Sequence, residues 1–256
     1  MARGGRQTTR ELPPPLPPER RTIGQLVAES LRFYGRRPPA ALLIGLLVAI
    51  VNLLVFTLPR DTAFVALPLA GGLLLTAAYL VAVSAVTGIA LRGAFAPRAF
   101  LVGFLVFLPF PFLVTLFVLP GLAWLALVGL AVPAALVEGL SVRSALTRGF
   151  ALARADYVHV LGGLAALALV VFITQGVVYI ALRAYAENTA QIAATLAAFV
   201  ASPTVFFGAA LLYVDQEARL RSRGERGKER DADVPDAHDA DREGSPDAPR
   251  ESGPPA

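Results

Sequence analysis

The sequence predicts an all-α fold: a polytopic membrane helical bundle with six transmembrane helices and two interfacial amphipathic helices. Three observations predict it. The chain of 256 residues is 55% hydrophobic and only 16% charged, against about 25% charged in a typical soluble domain. Its charges crowd into both ends and a few short loops, leaving long neutral tracts between them. Its basic residues also fall on alternate sides of those tracts.

The tracts set the spans. Uncharged runs of 22, 30, 39, 26 and 27 residues lie between Arg37 and Arg60, Asp61 and Arg92, Arg98 and Glu138, Asp156 and Arg183, and Glu187 and Asp215. A crossing needs about 20 residues at 1.5 Å rise. The 39-residue run is too long for one crossing. Pro120-Gly121 near its middle divides it in two. Six spans result, at about 39–58, 66–91, 99–119, 121–138, 157–182 and 190–214.

Orientation follows from Lys/Arg asymmetry. With the N-terminus inside, 21 of the 23 basic residues are cytoplasmic, and only Arg60 and Arg183 lie outside. An odd number of spans would separate the two basic tails. The expected location is a bacterial cytoplasmic membrane, with both termini cytoplasmic. No apolar run stands close to Met1, so no secretory signal is expected.

The flanks read differently. Residues 1–21 form a Pro/Arg-rich arm, expected to be disordered, with Pro13-Pro14-Pro15-Leu16-Pro17-Pro18 as a stiff spacer. Residues 22–37 predict an amphipathic helix. Thr22 caps it, Ile23, Leu26, Val27 and Leu31 give an apolar side, and Arg32, Arg36 and Arg37 form a basic end. Such a helix lies at the interface and meets anionic headgroups. Residues 141–155 predict a second one. Ser141 caps it, Val142, Ala145, Leu146, Gly149, Phe150 and Ala153 form its stripe, and Arg143, Arg148 and Arg154 lie off that stripe. The membrane domain is thus 22–218. Residues 219–256 form a polar tail, expected to be disordered and cytoplasmic.

Candidate functional groups are few. Glu138 closes the fourth span, where a carboxylate needs a partner; Arg148 or Arg143 can supply it and pin the second interfacial helix. Either arginine can alternatively hold a lipid phosphate. Asp156 and His159 share a helix face at i, i+3. A metal site needs at least three such ligands, and only Glu138 is available to join them. Neither a metal nor a cofactor is expected. Small residues recur four apart at Ala41, Gly45, Ala49 and at Ala194, Ala198, Ser202, which favours close packing within the bundle. Asn52, Thr174 and Gln175 are expected to hydrogen-bond between helices. Pro68, Pro109, Pro111 and Pro203 are expected to kink or break helices. The chain has no cysteine. There is no Gly-x-Ser-x-Gly elbow and no phosphate-cradling loop. The basic balance fits cytoplasmic helix ends rather than nucleic acid.

Three stretches carry a family resemblance. They are Ile23-Gly24 through Tyr34, then Val132-Pro133-Ala134-Ala135-Leu136-Val137-Glu138-Gly139 with Ser144-Ala145-Leu146-Thr147-Arg148-Gly149-Phe150-Ala151-Leu152, and Leu211-Leu212-Tyr213-Val214-Asp215. Over about residues 22–220 the chain resembles the membrane domain attached to some glycerophosphodiester phosphodiesterases, which also stands alone in many bacterial membrane proteins. Gly149-Phe150 depart from it, since a typical member has a bulky aromatic and Ser after that Arg. The resemblance does not imply the activity. That belongs to a separate soluble barrel with paired His and carboxylates around a metal, and this chain has only His159 and His238.

The leading expectation is therefore a non-enzymatic scaffold or accessory in the bilayer. It would contact anionic lipid headgroups or a membrane or cytoplasmic protein partner. The alternative is a transporter or lipid-handling protein with an apolar groove between helices. A third class is a membrane-embedded enzyme using Glu138, Asp156 and His159.

Overall fold

The computed structural model describes residues 17–91, 93, 95–184 and 187–232. The chain divides into two units, residues 1–219 and 220–256. Among the described residues, six helical stretches are long and apolar enough to cross a membrane. Two amphipathic helices accompany them. It is a polytopic all-α membrane protein.

The first amphipathic helix, α1 (Ile23–Arg36), starts at a reciprocal capping box. Thr22 accepts the Gln25 amide, and the Gln25 side chain accepts the Thr22 amide at 3.0 Å. Two orphan donors of the first turn are thereby satisfied. The first span, α2 (Pro38–Thr57), begins on Pro38-Pro39, whose missing amides fall where no helical acceptor exists. The second runs from α3 (Arg60–Ala66) through a wide π-type turn at Leu67–Gly71 into α4 (Gly72–Thr87). Pro68 sits in that turn, which is how the helix absorbs its missing donor. Gly88, at φ +74°, ends α4.

The third span comprises α5 (Ala96–Phe107) and α6 (Phe110–Leu116), broken at Pro109. The fourth comprises α7 (Val118–Val128) and α8 (Ala131–Val137). The turn between these spans falls at the extended Phe117, not at Pro120-Gly121 as the sequence suggested. Pro120 instead occupies the first turn of α7, where proline is tolerated. A break in α5–α6 leaves carbonyls without intrahelical donors; Trp124 Nε1 donates to one of them, Val106 O, at 2.8 Å.

The second amphipathic helix is α9 (Val142–Ala155), capped by Ser141. The fifth span, α10 (Tyr157–Leu182), has the predicted bounds. The last helix, α11 (Glu187–Ala232), contains the sixth span and continues past it. Residues 219–232 are therefore helical, which corrects their assignment to a disordered tail. Residues 17–21 form a 3-10 turn at Pro18–Arg20, and Arg21 after it is held to the bundle by Asp215. The rest of the arm, 1–16, and the distal tail, 233–256, lie outside the described residues.

The packing is that of a membrane bundle. Long apolar side chains such as Leu42, Leu46, Leu53, Phe172, Ile173 and Val177 face outward. Ala41, Ala78, Ala82, Ala99, Ala131, Ala135 and Ala198 are buried. Small residues inside let helix backbones approach, and lipid solvates the large ones outside. At one crossing this is explicit. Pro203 deprives the Phe199 carbonyl of its usual i+4 donor, and Gly45 of α2 sits against it; a Cβ on Gly45 would lie 2.3 Å from that oxygen. The small-residue series on α2 and α11 thus meet inside the bundle.

The Thr174 hydroxyl does not bond between helices as expected. Thr174 donates to Val170 O, and Thr76 to Gly72 O, each on its own helix. Intrahelical bonding of this kind satisfies the hydroxyl without a neighbour.

Candidate functional site

The sequence-predicted polar residues gather at the end of the bundle where α1, α9, the start of α10 and the end of the sixth span come together. They form two clusters, linked along α11.

The first cluster centres on Glu138, the C-cap of α8. Arg148 Nε lies 3.1 and 3.2 Å from its two carboxylate oxygens, and the Tyr213 hydroxyl donates to Oε1 at 3.0 Å. Of the two arginines considered, Arg148 is the partner. Arg143 is exposed and meets no carboxylate among the described residues. The local chain makes the pairing possible. Gly139, at φ +66°, takes the left-handed turn that reverses the backbone from α8 into α9. Gly149 then presses against α8, where an added Cβ would fall 2.4 Å from Ala131 N. The small residue at 149 brings α9 close enough for Arg148 to reach Glu138.

The second cluster is built on α10 and α11. Asp156 caps α10 by accepting the His159 amide, and its other oxygen receives Arg219 Nη1. Arg219 Nη2 donates to Arg21 O at 3.0 Å and lies 3.1 Å from His159 Nε2. Arg21 in turn pairs with Asp215 at 2.5 Å. The Asp215 side chain is fully buried, and its partner is 12% exposed. Both polar atoms of the buried Gln216 side chain lack a partner among the described residues. Asp156 and His159 do come together, as their spacing required, but a guanidinium stands against both. Glu138 belongs to the other cluster. The three residues of the embedded-enzyme reading do not converge on one point.

Helix α1 is seated on the bundle rather than lying free on lipid. Leu26 and Ser30 are buried. Gly162 and Gly163 of α10 form the seat, with Ile23 and Leu26 3.0 and 2.9 Å from where their Cβ atoms would be. Its basic end stays exposed, with Arg32 and Arg36 sharing Glu29 at 3.1 and 3.4 Å.

Sequence reasoning missed Arg21, Arg219 and Gln216. It noted Tyr213 only as part of a resemblance, and Asp215 there and as the end of the last neutral tract. Arg21 and Arg219 were hidden because each sits in a run of basic residues that reads as solvated tail; the available signal was Asp215 closing a neutral tract with Arg219 one helical turn beyond it.

Fold and site together define a multi-pass membrane protein whose conspicuous chemistry is a set of ion pairs locking one end of the bundle. Compared with known protein families, characterised proteins and solved structures, the chain finds no match.

Proposed function

We propose that this chain is a non-enzymatic membrane scaffold or accessory of a bacterial cytoplasmic membrane, of the phosphodiesterase-associated membrane-domain type. It gathers anionic lipid headgroups, and through them or beside them a protein partner, at its basic end. One observation carries the reading. Arg20, Arg37, Arg98 and Arg143 are exposed and meet no carboxylate among the described residues. Arg154 is exposed and lies over the Phe150 ring at 5.4 Å. In a bundle of six alternating spans these five fall at one end. Arg21, Arg148 and Arg219 at that same end are taken up by Asp215, Glu138 and Asp156.

The division matters physically. Paired arginines hold α1 and α9 in place, and the exposed ones present charge around them. Each exposed arginine near an anionic surface contributes about 1 kcal/mol of attraction. Guanidinium groups also match phosphate oxygens in bidentate geometry. The end carrying them faces the cytoplasm in this proposal.

The test is gentle purification from native membranes, with bound lipids and proteins identified by mass spectrometry. The expected result is enrichment of anionic over zwitterionic lipid, reduced roughly tenfold or more when Arg37, Arg98, Arg143 and Arg154 are changed together to Gln. Equal retention by the wild type and the variant would sink the lipid reading. A cysteine at position 60 should label only from the outer side of a sealed vesicle and one at position 143 only from the inner. Labelling in the opposite sense would overturn the orientation.

A further inference from the structure

The segment just before α1 is strapped to the bundle by two residues of α11. Arg219 Nη2 donates to the Arg21 carbonyl at 3.0 Å, and Arg21 Nη1 reaches Asp215 at 2.5 Å. The same Nη2 lies 3.1 Å from His159 Nε2 and 3.5 Å from its Nδ1, while Arg219 Nη1 donates to Asp156. Asp156 also accepts the His159 amide. A histidine and an arginine thus stand side by side at one carboxylate. The charged groups facing the His159 ring are Arg219 from α11 and Asp156 from its own first turn, with Arg21 and Asp215 beyond Arg219. α1 meets α10 here through Ile23 and Leu26, which are apolar. The last arginine of α9, Arg154, lies over the Phe150 ring.

Histidine is the side chain whose ordinary titration falls between about pH 5 and 8, and His159 is half-buried rather than sealed. A neutral imidazole keeps one nitrogen free to accept an N–H from Arg219. A protonated imidazole has two donors and no acceptor. Protonation therefore removes a bond from Arg219 and sets two cations side by side. It also makes the ring a rival of Arg219 for Asp156. The strap has little else to hold it. None of residues 17–21 is buried, so apolar packing adds little there. The pairing with Arg21 also leaves the other Asp215 oxygen buried without a partner among the described residues, a cost of the closed state that hydration removes.

We propose that residues 17–21 are a proton-released strap: protonation of His159 displaces Arg219 from Asp156 and from the Arg21 carbonyl, and the strap leaves the bundle. α1 stays on its seat, where Leu26 and Ser30 are buried. The device does not rest on the scaffold reading.

The experiment uses the full chain in phosphatidylcholine nanodiscs, with nitroxides on Pro17→Cys and Ala151→Cys. Both positions are exposed, and the chain has no cysteine of its own. Pulsed EPR reads the distance between the labels at pH 8 and at pH 5.5. The expected result is one narrow distance at pH 8 and roughly tenfold more of a broad population at pH 5.5, within the usual range for two coupled sites. His159→Gln accepts from an arginine as neutral histidine does but takes no proton, so its distance should stay narrow at both. Arg219→Gln removes the opposing cation and the strap's hold, so it should be broad at both. A wild-type distance indifferent to pH would overturn the proposal. So would acid broadening that survives His159→Gln, which would make Asp215 the titrating group, or a narrow distance in Arg219→Gln that still broadens with acid. Should His159→Gln lose the wild-type elution profile, the Arg219→Gln comparison decides alone.

Discussion

Arg219, at the end of the sixth span, pairs with Asp156, the residue that caps the fifth. One carboxylate thus does two jobs: it starts a helix and ties that helix to the chain's last one. The two jobs separate by substitution. Asp156→Ala loses both and should cost about 2–3 kcal/mol. Asp156→Asn keeps a good cap and loses the charge, so it should fall between. In a thermal scan of the detergent-solubilised protein, Ala should lower the midpoint by about 5–10 °C and Asn by less. If both variants melt with the wild type, the pairing has no energetic weight.

Glu138 receives Arg148 and Tyr213 at once, so their contributions should not add. Tyr213→Phe removes one hydrogen bond and should cost about 0.5–1.5 kcal/mol. Arg148→Gln removes the cation and should cost a similar amount, since the pair is partly exposed. Groups sharing a partner couple by about 0.5 kcal/mol or more. The double variant should therefore depart from the sum in a chemical-denaturation cycle. Strict additivity would mean that the two side chains do not meet on one carboxylate.

The spans were legible in the sequence because neutrality over some 20 residues has one explanation, a bilayer. The tract after Asp156 gave a span with the bounds seen for α10. Local chemistry was less legible. Pro120-Gly121 read as a break, yet proline is at home in the first turn of a helix, and the turn went to Phe117, which carries no turn signal. The stretch after Val214 read as disorder because it is charged. It is also rich in Glu, Gln, Ala, Arg and Lys, all good helix formers, and it extends an existing helix without a new nucleus. Glu138–Arg148 was legible because both lie within ten residues of one turn. Arg21–Asp215 was not, because sequence spacing says nothing about partners 194 residues apart.

The contact between Gly45 and the Phe199 carbonyl predicts an intolerant position. A methyl group there meets a backbone atom, which cannot rotate away as a side chain can. Gly45→Ala should therefore destabilise by about 1–3 kcal/mol through overpacking. This occurs although Ala is the better helix former by about 1 kcal/mol. Gly24→Ala is the control, since nothing stands within 4 Å of its added methyl; it should be neutral or slightly stabilising. Melting curves of the two variants check the contrast, and a stable Gly45→Ala protein would show that α2 and α11 are not in backbone contact.

Gly149 makes the equivalent prediction for α9, with a different readout. The chain has no cysteine of its own, so one placed at Ala145 reports alone. Ala145 is wholly buried beneath α9, and a thiol there should resist a water-soluble maleimide. Adding Gly149→Ala forces a methyl into the backbone of Ala131, 2.4 Å from its amide nitrogen. The helix must lift, and Arg148 must leave Glu138 to follow it. Labelling at position 145 should then rise by roughly tenfold or more, the effect of losing at least about 1.4 kcal/mol of docking energy. A thiol that stays protected would mean that α9 is held by contacts other than the seat at Ala131. In that case the Glu138–Arg148 pair would be a consequence of docking rather than one of its causes.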